Sequence, residues 1–223
     1  MKLAVEIAEC RTVEEFMVSD RKIVVLSAGL GVPSSSRLLA DQLAKSAAGK
    51  FEAAGVAAQV QTFELREYAV DIANNMVTGY AAPRLQEMID AVTAADALIA
   101  VTPVFSASYS GLFKSFFDVI GKESLAGKPV LLGATGGSAR HSLALDYAIR
   151  PLFSYLRART VQTVVFAAPE DWGAGDGGTA LVGRSDRAAG ELVALVEQAP
   201  AVEQGRGGIE SLSFEEILAQ VGH

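Results

Sequence analysis

Short β-branched and aliphatic runs alternate along this chain with longer stretches whose apolar positions recur every three or four residues. Lys22-Ile23-Val24-Val25-Leu26-Ser27 is the first such run, and a continuous apolar stretch of this length reads as a strand buried on both faces. An alanine-rich helical pattern follows from Leu38 to about Ala54, Gly55 punctuates it, and Ala57 to Phe63 reads as a second strand. The segment from Leu65 to Ala82 is less regular, with Asn74, Asn75 and Gly79, and predicts a loop containing a short helix. Pro83 stands at a first helical position, and Leu85, Met88, Ile89 and Val92 keep helical spacing behind it. Ala97–Val101 predicts strand three, and a helix follows from Gly111 to Ile120. Val130–Ala134 predicts strand four, with a helix from about His141 to Leu156, and Val161–Phe166 predicts strand five. The glycine-rich stretch from Trp172 to Gly178 reads as a flexible loop, before a last core helix from Arg184 to Gln198. Five strands alternating with helices predict an α/β fold, a parallel sheet covered on both faces.

Both ends differ from this pattern. Residues 1–20 are mixed and acidic, with a short helix expected from Val13 to Val18 and Met17 as an alternative start. After Gln198 a second glycine cluster, Gly205 to Gly208, sets off an acidic tail helix from Phe214 to Val221. The expected organisation is therefore an extension over 1–20, one domain over 21–198, and a tail over 199–223.

Composition narrows the function. Half of the 223 residues are hydrophobic, enough for one sizeable core. The mean hydropathy of +0.29 is high, but the apolar runs are short and broken, and none reaches the ~20 residues of a bilayer span. The first residues carry Glu6, Glu9, Glu14 and Glu15 and lack a signal-peptide core, so a cytoplasmic protein is expected. One cysteine, Cys10, allows neither an intrachain disulfide nor a multi-cysteine metal site. His141 is the single internal histidine, which leaves no histidine-based metal site. A net charge of −7 with scattered basic residues argues against a nucleic-acid partner.

Three loops follow strands and so fall on the carboxyl edge of the sheet, where open α/β folds hold their ligands. The first, Ala28 to Arg37, offers Ser34, Ser35 and Ser36 at a helix start; they are either a phosphate cradle or simply helix caps. It is not a P-loop, and Gly29-Leu30-Gly31 matches the dinucleotide fingerprint only in part. The second, Thr102-Pro103-Val104-Phe105-Ser106-Ala107-Ser108-Tyr109-Ser110-Gly111, presents backbone groups that can read a flat heteroaromatic ring such as a flavin. Its plain alternative is a helix entry with Phe105 and Tyr109 in the core. The third, Ala134 to His141, carries Gly136 and Gly137, which admit close backbone approach, or else a turn capped by Ser138. A hydrolytic triad of Ser138 or Ser142 with His141 and Asp146 lacks the Gly-x-Ser-x-Gly elbow.

Two blocks carry a family resemblance. Thr102-Pro103-Val104-Phe105-x-Ala107-Ser108-Tyr109-Ser110-Gly111 is similar to a motif of the NAD(P)H-dependent FMN reductases, with Phe105 where that family has tyrosine. Ala134-Thr135-Gly136-Gly137-Ser138 through His141, then Leu145-Asp146-Tyr147-Ala148-Ile149-Arg150-Pro151-Leu152, resembles a second. The likeness spans about Lys22 to Ala167 and is strongest to the reductases that partner two-component flavin monooxygenases. The first loop departs from the family, with Ala28-Gly29-Leu30-Gly31 where Gly-Ser-x-Arg is common.

The resemblance implies a flavodoxin-like three-layer sandwich with a five-stranded parallel sheet in order 2-1-3-4-5. It implies hydride transfer from NADPH or NADH to FMN by positioning, with no catalytic side chain. The cofactor-binding residues it points to are Ser34, Ser35, Ser36 and Arg37 for the phosphate and Pro103, Val104 and Phe105 for the ring, with Ser27 and Ser108 also in the cofactor-binding set. Thr135, Gly136, Gly137, Ser138 and His141 would lie along the pyrimidine side. FMN as a released substrate, a partner monooxygenase and a homodimer or homotetramer complete the expectation. The surplus aromatics of the helix from Gly111, notably Phe113 and Phe117, are the expected interface. A quinone or azo-compound reductase with tightly held FMN, or a flavodoxin-type electron carrier, are the alternatives.

Overall fold

The computed structural model describes residues 20–173 and 175–198; the expected helices at Val13–Val18 and Phe214–Val221 lie outside them. In chain order the elements are β1 (Arg21–Ser27), α1 (Ser35–Ala53), β2 (Ala58–Glu64), α2 (Ala69–Thr78), α3 (Pro83–Ala94) and β3 (Ala97–Phe105). There follow β4 (Ser108–Tyr109), α4 (Gly111–Val119), β5 (Pro129–Thr135), α5 (Arg150–Tyr155), β6 (Arg159–Thr160), β7 (Val165–Ala167) and α6 (Asp176–Glu197). The sheet runs β2-β1-β3-β5-β6, all parallel, with β7 also on β5 and β4 antiparallel to β3. Counting β6 and β7 as one interrupted strand, this is the flavodoxin-like order 2-1-3-4-5.

Strand alternation divides the core. Ile23, Val25, Ile99, Val101 and Leu131 face α1 and α6, whereas Val24, Leu26, Leu98, Ala100 and Leu132 face the layer containing α3, α4 and α5. The switch point, where the chain moves from β1 outward to β2 and then back across to β3, lies between the carboxyl ends of β1 and β3.

Five differences from the expected elements have local causes. The sheet has seven strands because the expected fifth strand is interrupted, and because β3 runs on to Phe105 and turns back as β4. At the interruption Arg150 donates to the carbonyls of Val161 and Gln162, at 2.9 and 3.0 Å. Glu191 accepts the Thr163 amide and hydroxyl, at 2.7 and 2.6 Å. Side chains thus satisfy backbone groups that a ladder would have used.

Pro103 is tolerated inside β3 because β1 ends at Ser27, opposite Val101. The Val101 carbonyl still accepts the Ala28 amide, so two residues on, Pro103 directs its donor-less nitrogen to the edge β1 has vacated. The expected helix from His141 is instead a 3-10 turn (Ala139–His141), a π-helical turn (Leu145–Ile149) and then α5, because Pro151 cannot donate into a continuous helix.

α6 begins eight residues before the expected Arg184. A Cβ on Gly177 or Gly178 would strike the Glu170 or the Gly173 carbonyl, so these glycines serve close packing against the preceding turn. Finally, Phe113, Phe116 and Phe117 are buried, and Phe117 packs on Phe113 and Phe153 at centroid distances of 4.8 and 4.9 Å. They belong to the core and leave no surplus face, which overturns the expected aromatic interface on this helix. No helix among the described residues is long and apolar enough to cross a membrane.

Candidate active site

The carboxyl ends of β1, β3, β5 and β7 converge with the first turn of α1. Ser34 caps that turn, its hydroxyl accepting the Arg37 amide at 3.2 Å, and the first helical hydrogen bond runs from Leu38 to Ser34. The amides of Ser35 and Ser36 precede that bond and stand free of intrahelical partners. Gly29 lies directly below: a Cβ there would overlap the Ser34 hydroxyl and come within 3.2 Å of Ser36 Cβ. The Ser36 hydroxyl is buried against Thr135 Oγ1 at 2.8 Å, which ties the first loop to the third.

Ser27, the last residue of β1, leads into the first loop. It is two residues past Val25, on the same α1-facing side of β1, and only 1 % exposed. Its Oγ is buried with no hydrogen-bond partner. A buried hydroxyl left unpaired costs about 1–3 kcal/mol, so such a group marks a place where a ligand atom completes the set.

Arg37 is committed elsewhere. Its Nε donates to Asp41 at 2.8 Å and its Nη1 to Glu64 at 2.9 Å, and the Asp41 hydrogen bond raises its pKa further. Glu64 also accepts from Arg66 at 2.9 Å, and Arg66 reaches back to the Gly31 carbonyl at 3.4 Å. Carboxylates therefore neutralise both arginines beside the first loop.

Beside the cradle lies an open cleft of about 390 Å³, within the range of small-molecule sites. Ser35 stands at one side, Pro103, Val104 and Phe105 at another, and Thr135, Gly136 and Gly137 at a third. Seven of the residues expected from the sequence thus meet around one space. Phe105 is 47 % exposed at its rim. It precedes a two-residue hairpin turn in which Ser106 and Ala107 have φ of 50° and 68°, the pattern of a type I′ turn. The hairpin base is clamped by buried Thr102, whose Oγ1 accepts the Ser110 amide at 3.0 Å and donates to the Pro103 carbonyl at 3.0 Å.

Ser108, Ser138 and His141 do not line the cleft. Ser108 pairs with Phe105 in the hairpin, Ser138 accepts the Arg140 amide at 3.3 Å, and His141 is exposed behind Gly136. A fourth wall, Ala167 at the end of β7 with Pro169 and Trp172 after it, was not among the expected residues. The signal for it was present, since the fifth strand also ends on the carboxyl edge and is followed within a few residues by the one tryptophan in the chain.

An anion cradle of amides and hydroxyls beside an apolar-walled slot at a switch point suits a phosphate joined to a flat ring. Comparison with known proteins decides the family, because the profile described as NADPH-dependent FMN reductase matches residues 21–173. The chain belongs to that family. An FMN reductase (NADPH) of Pseudomonas aeruginosa is 35% identical over 156 residues, 70% of this chain and 81% of that one. The NADH-dependent FMN reductase SfnF of Pseudomonas putida is 36% identical over 149 residues, 67% of this chain and 78% of that one. Among solved structures, an oxidoreductase from Corynebacterium diphtheriae superposes with a TM-score of 0.79 at 47% identity, covering 81% of this chain and 99% of that one.

The protein is accordingly an NAD(P)H:FMN oxidoreductase, with FMN and a nicotinamide nucleotide as its redox pair. The site fits FMN on two structural grounds: the unpaired Ser27 hydroxyl at the end of β1, and the close approach of Gly29 to Ser34 that shapes the cradle.

Proposed function

We propose that this FMN reductase takes FMN as an exchangeable substrate and passes the reduced flavin to a flavin-dependent monooxygenase. The observation that carries the exchange is the commitment of Arg37 to Asp41 and Glu64. A free guanidinium would add a bidentate ion pair to the hydrogen bonds that amides and hydroxyls give a phosphate. A phosphate held by the Ser35 and Ser36 amides and the Ser27 hydroxyl, without a free guanidinium, is held loosely enough to leave.

In this reading Ser27, Ser34, Ser35 and Ser36 form the phosphate end, and Arg37 acts by holding Glu64 and the start of α1. Pro103, Val104 and Phe105 form one wall of the ring slot, and Thr135, Gly136, Gly137 and Trp172 form the other. Bound FMN supplies the chemistry, accepting a hydride from the nicotinamide. The walls orient the two rings and exclude water, and no side-chain acid or base is needed. Ser108, Ser138 and His141 support the loops from behind.

The same reading includes a cytoplasmic homodimer. Leu143, Tyr147 and Tyr155, all exposed along the segment between the third loop and the end of α5, supply apolar surface for it. Gel filtration of the FMN-loaded protein tests the exchange: flavin should separate from the protein, and activity should return as a saturable function of added FMN. Flavin that co-elutes at one equivalent would instead favour the quinone or azo-compound reductase.

A further inference from the structure

We propose that a second cleft, on the far side of Trp172, seats the adenosine half of the nicotinamide nucleotide and selects NADH over NADPH. The proposal rests on the FMN reductase reading of the ring cleft. A dinucleotide whose nicotinamide lies over the flavin must seat a second nucleoside nearby. Among the described residues a cleft of about 420 Å³ adjoins the ring cleft, lined by Gln42, Asp171, Trp172, Thr179, Leu181 and Val182.

Trp172 lines both clefts. Helix α1 also borders both, with Ser35 in the first and Gln42, two turns on and roughly 10 Å along the axis, in the second. Leu181, Val182 and the indole offer apolar surface to a purine, and the Gln42 amide and Thr179 hydroxyl supply donors and acceptors for its edge.

The wall that carries Trp172 is fixed in place. Asp171 accepts Arg184 Nη2 at 2.7 Å and the Ala168 amide at 2.8 Å. Gly177 and Gly178 let the turn before them lie directly against the first turn of α6.

Selectivity follows from the charges. None of the described residues lining the cleft is lysine or arginine. Arg184 is bound to Asp171 and to the Phe166 carbonyl. A ribose 2′-hydroxyl can donate to a spare lone pair of the Asp171 carboxylate, as acidic residues do in NAD sites. A 2′-phosphate would meet that carboxylate, whose one cationic partner among the described residues, Arg184, is already committed to it.

Trp172 is the single tryptophan of the chain, so its emission reports directly on the site. Titrating ADP-ribose into the FMN-free full chain should quench it saturably, and the 2′-phosphorylated analogue should bind about tenfold more weakly or worse. Val182 is 45 % exposed, so a larger side chain there has solvent to extend into. Val182→Phe should raise the ADP-ribose Kd and lower kcat/KM for NADH by about tenfold, leaving reduced nicotinamide mononucleotide, which has no adenosine, and FMN affinity within about twofold. Val182→Arg should move the preference toward NADPH. An absent ADP-ribose signal, equal losses for NADH and the mononucleotide in Val182→Phe, or better use of NADPH by the wild type would each overturn the proposal. If FMN is neither bound nor reduced with any nucleotide, it is the ring-cleft reading that fails.

Discussion

Replacing Ser27 with alanine should stabilise the flavin-free protein and weaken FMN binding at the same time. In the flavin-free state the Ser27 hydroxyl is buried and unpaired, while in the unfolded chain it is bonded to water. Removing it deletes a desolvation cost of about 1–3 kcal/mol, and the small void left behind returns part of that. A net gain of about 1 kcal/mol corresponds to roughly 2–4 °C in Tm for a chain of this size. In the proposed complex the same hydroxyl would donate to a phosphate oxygen, a charged hydrogen bond of about 1.5–3 kcal/mol. The FMN Kd should therefore rise by roughly ten- to a hundredfold. Riboflavin lacks the phosphate, and its affinity should stay within about twofold of wild type. Calorimetric melting of the flavin-free proteins and parallel flavin-fluorescence titrations read both effects. Equal losses for FMN and riboflavin, or unchanged FMN affinity, would refute the assignment of Ser27 to the phosphate.

Other consequences concern the frame around the site. Lys128 is buried at the start of β5, and its Nζ donates to the Thr93 and Ala95 carbonyls; burial pushes its pKa down to about 8, against a smaller upward pull from Asp96. From about pH 8 to 10.5 the unfolded chain keeps a proton that the folded one releases, so stability rises with pH across that window, by on the order of 3 kcal/mol in full. Urea melts of wild type against Lys128→Met at the two ends of the window should show that rise only in the wild type. Ser106→Asn with Ala107→Gly suits the left-handed turn and should add about 1–2 kcal/mol by chemical denaturation; a loss would mean the turn is held in another form. Phe117→Asp should unfold the domain, by circular dichroism, because it puts a charge among Phe113, Phe116 and Phe153. A folded monomeric variant would restore the interface reading of that helix. Gly136→Val should lower Tm, since a Cβ there meets the Phe166 ring at 2.8 Å, whereas Gly137→Val faces open space and should melt like wild type.

The parallel sheet was legible because its central strands β1, β3 and β5 are built on apolar runs, and the ring cleft because three of its walls are loops that follow those runs. Other features were not, each for a physical reason. The Thr163 amide is satisfied by Glu191 and the nearby carbonyls by Arg150, long-range partners that no local pattern encodes. The glycines at 177 and 178 resemble a flexible linker in sequence, and only the carbonyls of Glu170 and Gly173 above them reveal tight packing. Arg37 stands where a phosphate ligand would be expected, but Asp41 one turn on and Glu64 at the end of β2 claim it. The aromatics of α4 looked excessive for one helix face until Phe153, some forty residues later in the chain, proved to fill the gap between them.

The proposed function requires that free FMN be reduced catalytically at this cleft. Anaerobic mixing of flavin-free protein with excess FMN and excess NADH, followed by flavin absorbance, measures this directly. The proposed function predicts many equivalents of FMN bleached per protein, at a rate that saturates with FMN and falls sharply in the Ser27→Ala variant at low FMN. Bleaching that stops at one equivalent per protein would contradict it.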